Sequence, residues 1–189
     1  MDSNLAFQEA AREELLDGRL VAMSPASSNH NRIAGNIFSL FHHYLKGKTC
    51  EPFGDGEALY LTGKDHVVPD FMIVCDPDKI KWNGVYGAPD LVVEILSPST
   101  AKNDRGYKKD LYERCGVREY WIISPKDRTV EQYLLSEERF SLHTVCTLYA
   151  DYELEAMTQQ ERAAVITEIR CSLYSDLTLQ LDDLFYRTI

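Results

Sequence analysis

A chain of 189 residues with a hydrophobic fraction of 44% can bury one sizeable core, and its two Trp, eleven Tyr and seven Phe exclude intrinsic disorder. No apolar run approaches the ~20 residues that span a bilayer, and the polar, acidic start MDSNLAFQEAAREELLDGRL is unlike a secretion signal, so a cytoplasmic location is expected. The net charge of −10 argues against a nonspecific nucleic-acid coat, because phosphate binding depends on Lys and Arg. The charge is uneven, however: residues 101–118, AKNDRGYKKDLYERCGVR, hold six basic and three acidic side chains. That local basic face is compatible with binding a phosphate backbone at one place, or with a solvated helix surface. Five widely spaced cysteines, an odd number without a C-x-x-C pair, argue against a disulfide framework and a cysteine zinc site. They are expected to be reduced core fillers.

No internal repeat, low-complexity tract or linker divides residues 1–189, which read as a single domain. After the amphipathic EAAREELLDG, GRLVAMSP reads as a short strand ending at Pro25. SSNHNRIAGNIFSLFHHYLKGK carries a cap and an apolar stripe of Ile33, Ile37, Leu40, Phe41 and Tyr44, which predicts a helix that stops near Gly47. GEALYLTG, VVPDFMIVCD and PDLVVEILSP read as three strands, and Gly116 marks the end of one helix after Pro98. EYWIISP and TVEQYLL form a hairpin across PKDR, and FSLHTVCTLY adds a strand or an irregular extension. ERAAVITEIR reads as helix or strand, and SDLTLQLDDLF as a terminal strand and turn. The order implies an α/β (α+β) domain around a central mixed sheet flanked by helices.

Glu94 is a carboxylate inside an apolar strand, 88-APDLVVEILSPST-100, so it requires a partner or a metal. Alternation puts Asp90, Val92, Glu94 and Leu96 on one face and Leu91, Val93 and Ile95 on the other. Asp90 and Glu94 are about 13 Å apart at 3.3 Å per residue, too far to hold one ion. Asp90 is therefore read as a turn residue. The strand 67-VVPDFMIVCD-76 supplies a second acid, Asp70, directly after Pro69, and Asp70 and Glu94 converge if the two strands pair. Two such oxygen donors suit Mg²⁺ or Mn²⁺. In the following helix Tyr107, Leu111 and Cys115 read as the buried stripe. Lys108 lies beside it and is the cation expected to reach a pocket, whereas Lys109 is expected to meet solvent or phosphate. His30, Asp104 and Arg105 are possible cleft residues or helix caps. The alternative for Glu94 is a structural ion pair with Lys108 or Arg105, and Asp70 could simply cap a turn.

The ordered motifs ELLDG, MSPASSNH, VPDFMIVCD, APDLVVEILSPST, DRGYKKDLY and GVREYWIISP resemble the Uma-two family within the PD-(D/E)XK nuclease superfamily. The resemblance covers roughly residues 13–135, more weakly SDLTLQLDDLF, and implies a restriction-endonuclease-like core and metal-dependent hydrolysis of DNA phosphodiester bonds. By this resemblance Asp70 and Glu94, helped by the Ile95 carbonyl, would hold Mg²⁺ or Mn²⁺. The superfamily lysine would fall at Leu96 and is absent. The resemblance places it instead at Lys108, to orient or deprotonate water or to neutralise the transition state. Arg19 departs from the acid usual after Asp-Gly. A homodimer is compatible with cutting two strands. The alternative function is an inactive nuclease-fold protein that binds nucleic acid or regulates.

Overall fold

The structure is a computed structural model and describes residues 12–189; residues 9–11 of the predicted amphipathic segment lie outside it. Strands β1 (Glu13–Leu16) and β2 (Arg19–Ala22) form a hairpin, turned by Asp17 and Gly18 at positive φ. Helix α1 (Ser28–Leu45) follows, and the Ser27 side chain accepts from the His30 amide as its cap. This satisfies one of the free N–H groups at a helix start. Its buried residues are His30, Ile33, Ile37, Phe41 and Leu45, so the expected apolar stripe is present, with Leu40 and Tyr44 on its flank.

The strands β3 (Glu51–Gly54), β4 (Leu59–Thr62), β5 (Asp65–Val67), β6 (Phe71–Val74), β7 (Ile80–Lys81), β8 (Gly84–Tyr86) and β9 (Leu91–Ile95) come next. The single helix expected after Pro98 is two, α2 (Ala101–Arg105) and α3 (Tyr107–Cys115). They break at Gly106, whose backbone (φ −113°, ψ −104°) leaves no room for a side chain, since a Cβ there would stand 2.9 Å from the Lys102 carbonyl oxygen. Gly116, at φ 85°, ends α3 in the left-handed conformation that glycine adopts without steric cost. Strands β10 (Glu119–Ser124), β11 (Thr129–Ser136) and β12 (Arg139–Thr147) form a meander, which includes the expected hairpin. The C-terminal part contains α4 (Asp151–Ala156), α5 (Gln159–Ala163), β13 (Glu168–Arg170), β14 (Thr178–Gln180) and α6 (Leu181–Leu184). ERAAVITEIR is thus split, its start in α5 and its end in β13.

The main sheet has the order β12-β11-β10-β9-β6-β3 and is mixed, with β9 and β10 parallel and the other pairs antiparallel. A second six-stranded sheet, β2-β1-β5-β4-β8-β7, and the short β13-β14 pair accompany it. The sequence pointed to one central sheet. The second is assembled from strands of two to four residues, too short for alternation to identify. As alternation predicts, Leu91, Val93 and Ile95 pack with α1, Trp121 and α6, while Val92 joins Met72, Leu111, Tyr112 and Tyr120 in a separate cluster.

Cys50 and Cys75 form a disulfide, which corrects the expectation that all five cysteines are reduced. Glu51 opposes Val74 at the end of the β3–β6 ladder, so the next residues on each strand are brought side by side. That contact spans 25 residues and leaves no spacing motif. Cys115, Cys146 and Cys171 are free, the last two buried as expected of fillers.

On the α1 side, fully buried Glu119 ties the main sheet to the C-terminal segment. It accepts from Trp121 Nε1 at 2.6 Å and from the Ser172 amide at 2.9 Å, and also from Gln132 Nε2 and Ser172 Oγ. A carboxylate with several donors is stable in the core, but its removal strands those donors. Glu119→Ala should therefore destabilise the protein by roughly 3–5 kcal/mol, read from urea unfolding. A loss below about 1 kcal/mol would show that the network contributes little.

Candidate active site

Pro69 lacks an N–H and precedes β6, and Phe71 opposes Val93 across the antiparallel β6–β9 pair. One further step in this register puts Asp70 opposite Glu94, on the same face of the sheet. The Asp70 side chain closes the ladder there: its Oδ2 accepts the Ile95 amide at 2.6 Å. Its Oδ1 lies 3.0 Å from Nε2 of His30, which the first turn of α1 presents. Asp70 is 8% exposed and Glu94 3%. Both line a pocket of about 550 Å³ bounded by the β2–α1 connection, the β9–α2 loop and α2.

Glu94 Oε1 accepts from Lys108 Nζ at 3.0 Å and from the Tyr112 hydroxyl at 2.6 Å. The Lys108 ammonium also stands 2.8 Å from Glu14 Oε1 and 3.9 Å from Asp104 Oδ1. Glu14 in turn accepts the Val68 amide at 2.9 Å. The buried residues of α3 are Lys108, Leu111 and Tyr112, so the stripe is centred one position beyond the predicted Tyr107–Leu111–Cys115 row. Tyr107 instead turns to Asp65. This shift buries Lys108 rather than leaving it on a flank.

Three carboxyl groups thus surround one ammonium away from water. Burial raises the Glu94 carboxyl well above its ordinary range, against the opposing pull of Lys108. Burial also dominates at Asp104 and pushes it up to about 6, again with Lys108 opposing. Desolvation acts to lower the Lys108 value, but Glu94, Glu14 and Asp104 outweigh it and raise the ammonium above its usual range. The three carboxyls thus favour the charged form of Lys108. For His30, burial is outweighed by the hydrogen bond and charge of Asp70, which raise it.

The structure brings together Asp70, Glu94 and Lys108, and adds His30 and Asp104, which the sequence left open. It also adds Glu14, which sequence reasoning missed. Its signal was faint: one acid between residues of a four-residue strand, EELL, whose alternation buries Glu14 with Leu16. Asp90 lies at the other end of β9, accepting from the Cys75 amide and Arg118, and Arg105 pairs with Glu131. Arg19 is exposed and away from the pocket. Lys109 does not point freely to solvent but sits 3.8 Å from the Tyr133 ring centroid. Leu96 packs against the second core cluster.

Among the described residues, no group of three or more His, Cys, Asp or Glu side chains is arranged to hold a metal ion. Asp70 and Glu94 nevertheless fit Mg²⁺, which is commonly held by one or two carboxylates with water and substrate phosphate completing its shell. The pocket's charge points the same way, since it is lined by five acids, Glu14, Asp55, Asp70, Glu94 and Asp104, against two cations, Arg12 and Lys108. Asp104 Oδ1 is buried without a hydrogen-bond partner.

The Asp104 shift has a measurable consequence. Folded Asp104 keeps its proton to about pH 6, against 3.8 for the free group, so the folded state binds more protons in between. Its contribution to stability must fall as pH rises through that window, by up to roughly 3 kcal/mol. Asp104→Asn should remove this component, so the variant gains on the wild type between about pH 4 and 6. Urea unfolding of both proteins in metal-free buffer checks it. Parallel pH profiles would refute it.

Residues 3–165 match the Uma2 family, described as "Putative restriction endonuclease". The chain is 34% identical over 133 residues to the uncharacterized protein slr1290 of Synechocystis sp., covering 68% of this chain and 70% of that one. It is 27% identical over 130 residues to sll1609 of the same organism, covering 67% and 73%. A crystal structure described as "a putative nuclease belonging to DUF820" from Anabaena variabilis superposes with a TM-score of 0.67 at 20% identity, over 92% of this chain and 89% of that one. No helix among the described residues is long and apolar enough to cross a membrane. The chain belongs to the Uma2 family, described as "Putative restriction endonuclease", and shares the fold of that crystal structure.

Proposed function

We propose that this protein is an endonuclease that hydrolyses DNA phosphodiester bonds with the help of Mg²⁺ or Mn²⁺. The observation that carries the reading is the placement of Asp70 opposite Glu94 in one pocket, with the Lys108 ammonium 3.0 Å from Glu94. Membership in a nuclease family supports it. Asp70 and Glu94 would hold the ion, which when bound supplies Lewis acidity toward phosphate and water.

The chain's own groups set the rest of the chemistry. Asp70 is oriented by the Ile95 amide and by His30, so its carboxylate does not have to reorganise when substrate arrives. Tyr112 fixes one Glu94 oxygen from below. Lys108, 3.0 Å from Glu94 Oε1, would orient the attacking water or neutralise charge that develops on the phosphate oxygens. The Lys108 position on α3 takes the place of the lysine missing at Leu96. The helix brings its ammonium to the same Glu94 that a strand lysine would accompany.

A reading without turnover, a nuclease-fold protein that binds or regulates, is favoured by one feature: the lysine usual two residues after the acid is absent, and Leu96 at that position packs against the second core cluster.

Purified protein with Mg²⁺ or Mn²⁺ should cut end-labelled DNA, and Asp70→Ala or Glu94→Ala should lower the rate by about 100-fold or more. Calorimetric titration should show Mn²⁺ affinity reduced roughly tenfold or more in both variants. Equal residual cleavage in wild type and both variants would mark a contaminant and sink the assignment. Mn²⁺ binding without cleavage would leave the binding reading.

A further inference from the structure

We propose that the pocket accepts an unpaired polynucleotide strand, so that single strands and unpaired segments are its substrates and intact duplex is not. The inference rests on the nuclease reading and concerns which form of the phosphodiester reaches the carboxylates.

Depth is the first argument. Asp70 and Glu94 are 8% and 3% exposed and sit inside a pocket of about 550 Å³. That volume falls within the ~300–1,000 Å³ of sites that enclose a small ligand. It is on the scale of a nucleotide. A duplex presents its phosphates on a wide, rigid surface, which reaches carboxylates this deeply recessed less readily than a flexible single strand does.

The walls give a second, independent argument. One stretch of the lining, Ser97, Ser99, Thr100 and Asn103, supplies neutral donors and acceptors. Its hydroxyls already cluster, with Ser97 Oγ 3.0 Å from Ser99 Oγ and 3.1 Å from Thr100 Oγ1. Another stretch, Val21 to Ala26, contributes Val21, Met23, Pro25 and Ala26, and Pro25 and Ala26 are exposed. An apolar wall beside a polar one matches a nucleotide whose base face and sugar-phosphate are both available. In duplex the base faces are covered by stacking, so the apolar wall would remain unused. Enzymes that need a base out of its stack gain when it is already unpaired.

Charge is the third. Duplex binding without base contacts relies on several free Lys or Arg along the backbone. Both cations in the pocket are committed, Arg12 to Asp55 at 3.0 Å and Lys108 to the buried carboxyls. The neighbouring basic segment is paired or stacked at five of its six positions, and Lys102 is the sixth. Among the described residues, few cations beside the pocket are thus without a partner, which favours a short contact with one strand's phosphates over a long track along a duplex.

The test uses full-length protein with Mn²⁺ and three fluorescent DNAs of one sequence: single strand, blunt duplex, and duplex with a central unpaired bubble. Binding is read by anisotropy in Glu94→Gln and, independently, in Asp70→Asn, so that the affinity ratio does not depend on turnover. Single strand and bubble should bind at least about tenfold more tightly than blunt duplex. Wild type should cut the bubble within its unpaired segment. Replacing Met23 and Pro25 together by Ser should lower single-strand affinity about fivefold and leave duplex affinity unchanged. Blunt duplex bound or cut as well as single strand overturns the proposal, as does a Met23/Pro25 variant with unaltered single-strand affinity. Loss of cleavage in Asp70→Ala reports on the proposed chemistry separately from this ratio.

Discussion

The ammonium of Lys108 is the interaction on which the rest of the site depends. A buried lysine is tolerated only when its charge is compensated, and here Glu14, Glu94 and Asp104 supply that compensation. These groups come from four elements: Glu14 from β1, Glu94 from β9, Asp104 from α2 and Lys108 from α3. The cluster therefore locks the small sheet and the helix pair to the main sheet at one point. Removing Lys108 would leave three acids facing one another without a counter-charge, whereas removing any single acid leaves the others to hold the ammonium.

The main sheet separates structural from chemical duties between its faces. On one face Leu91, Val93 and Ile95 meet α1 and Trp121 in a core closed by the Glu119 network. The other face carries Glu94 among Tyr112, Tyr120 and Leu111, where every polar atom has to be matched within a hydrophobic setting. Tyr112 donates to Glu94, and Tyr120 donates to the Asp104 carbonyl at 2.9 Å. Glu94 thus stands at the rim of a core rather than on an open surface, and its environment raises its proton affinity. The pocket lining has an excess of acids, five against the two cations Arg12 and Lys108, so further positive charge there would relieve that environment.

Much of the site could be read from local pattern. The rise along a strand, about 3.3 Å per residue, excluded Asp90 as a partner of Glu94, and its contacts are indeed at the far end of β9. Pro69 placed Asp70 at a strand start, and the β6–β9 register then puts it across from Glu94. Glu14 escaped notice because four residues are too few to distinguish a buried acid from an exposed one. The Cys50–Cys75 bond escaped for another reason: it joins the ends of two strands that are neighbours only after pairing. The α3 stripe is displaced by one residue because Lys108 and Tyr112 turn inward to Glu94, a distant contact that periodicity cannot show.

By itself the sequence determined the longer helices and strands, the two faces of β9, a Ser or Asn cap before α1, and the positions of Asp70 and Glu94 on their strands. Each follows from neighbours a few positions away, where steric and hydrogen-bonding preferences act directly. Only the tertiary structure decided that the strands form two sheets, that Lys108 is buried among three acids, and that His30 holds Asp70. Those outcomes depend on contacts between residues as much as 94 positions apart, as between Glu14 and Lys108. Desolvation at such contacts has no local signature, since it arises only when distant surfaces close over the charge.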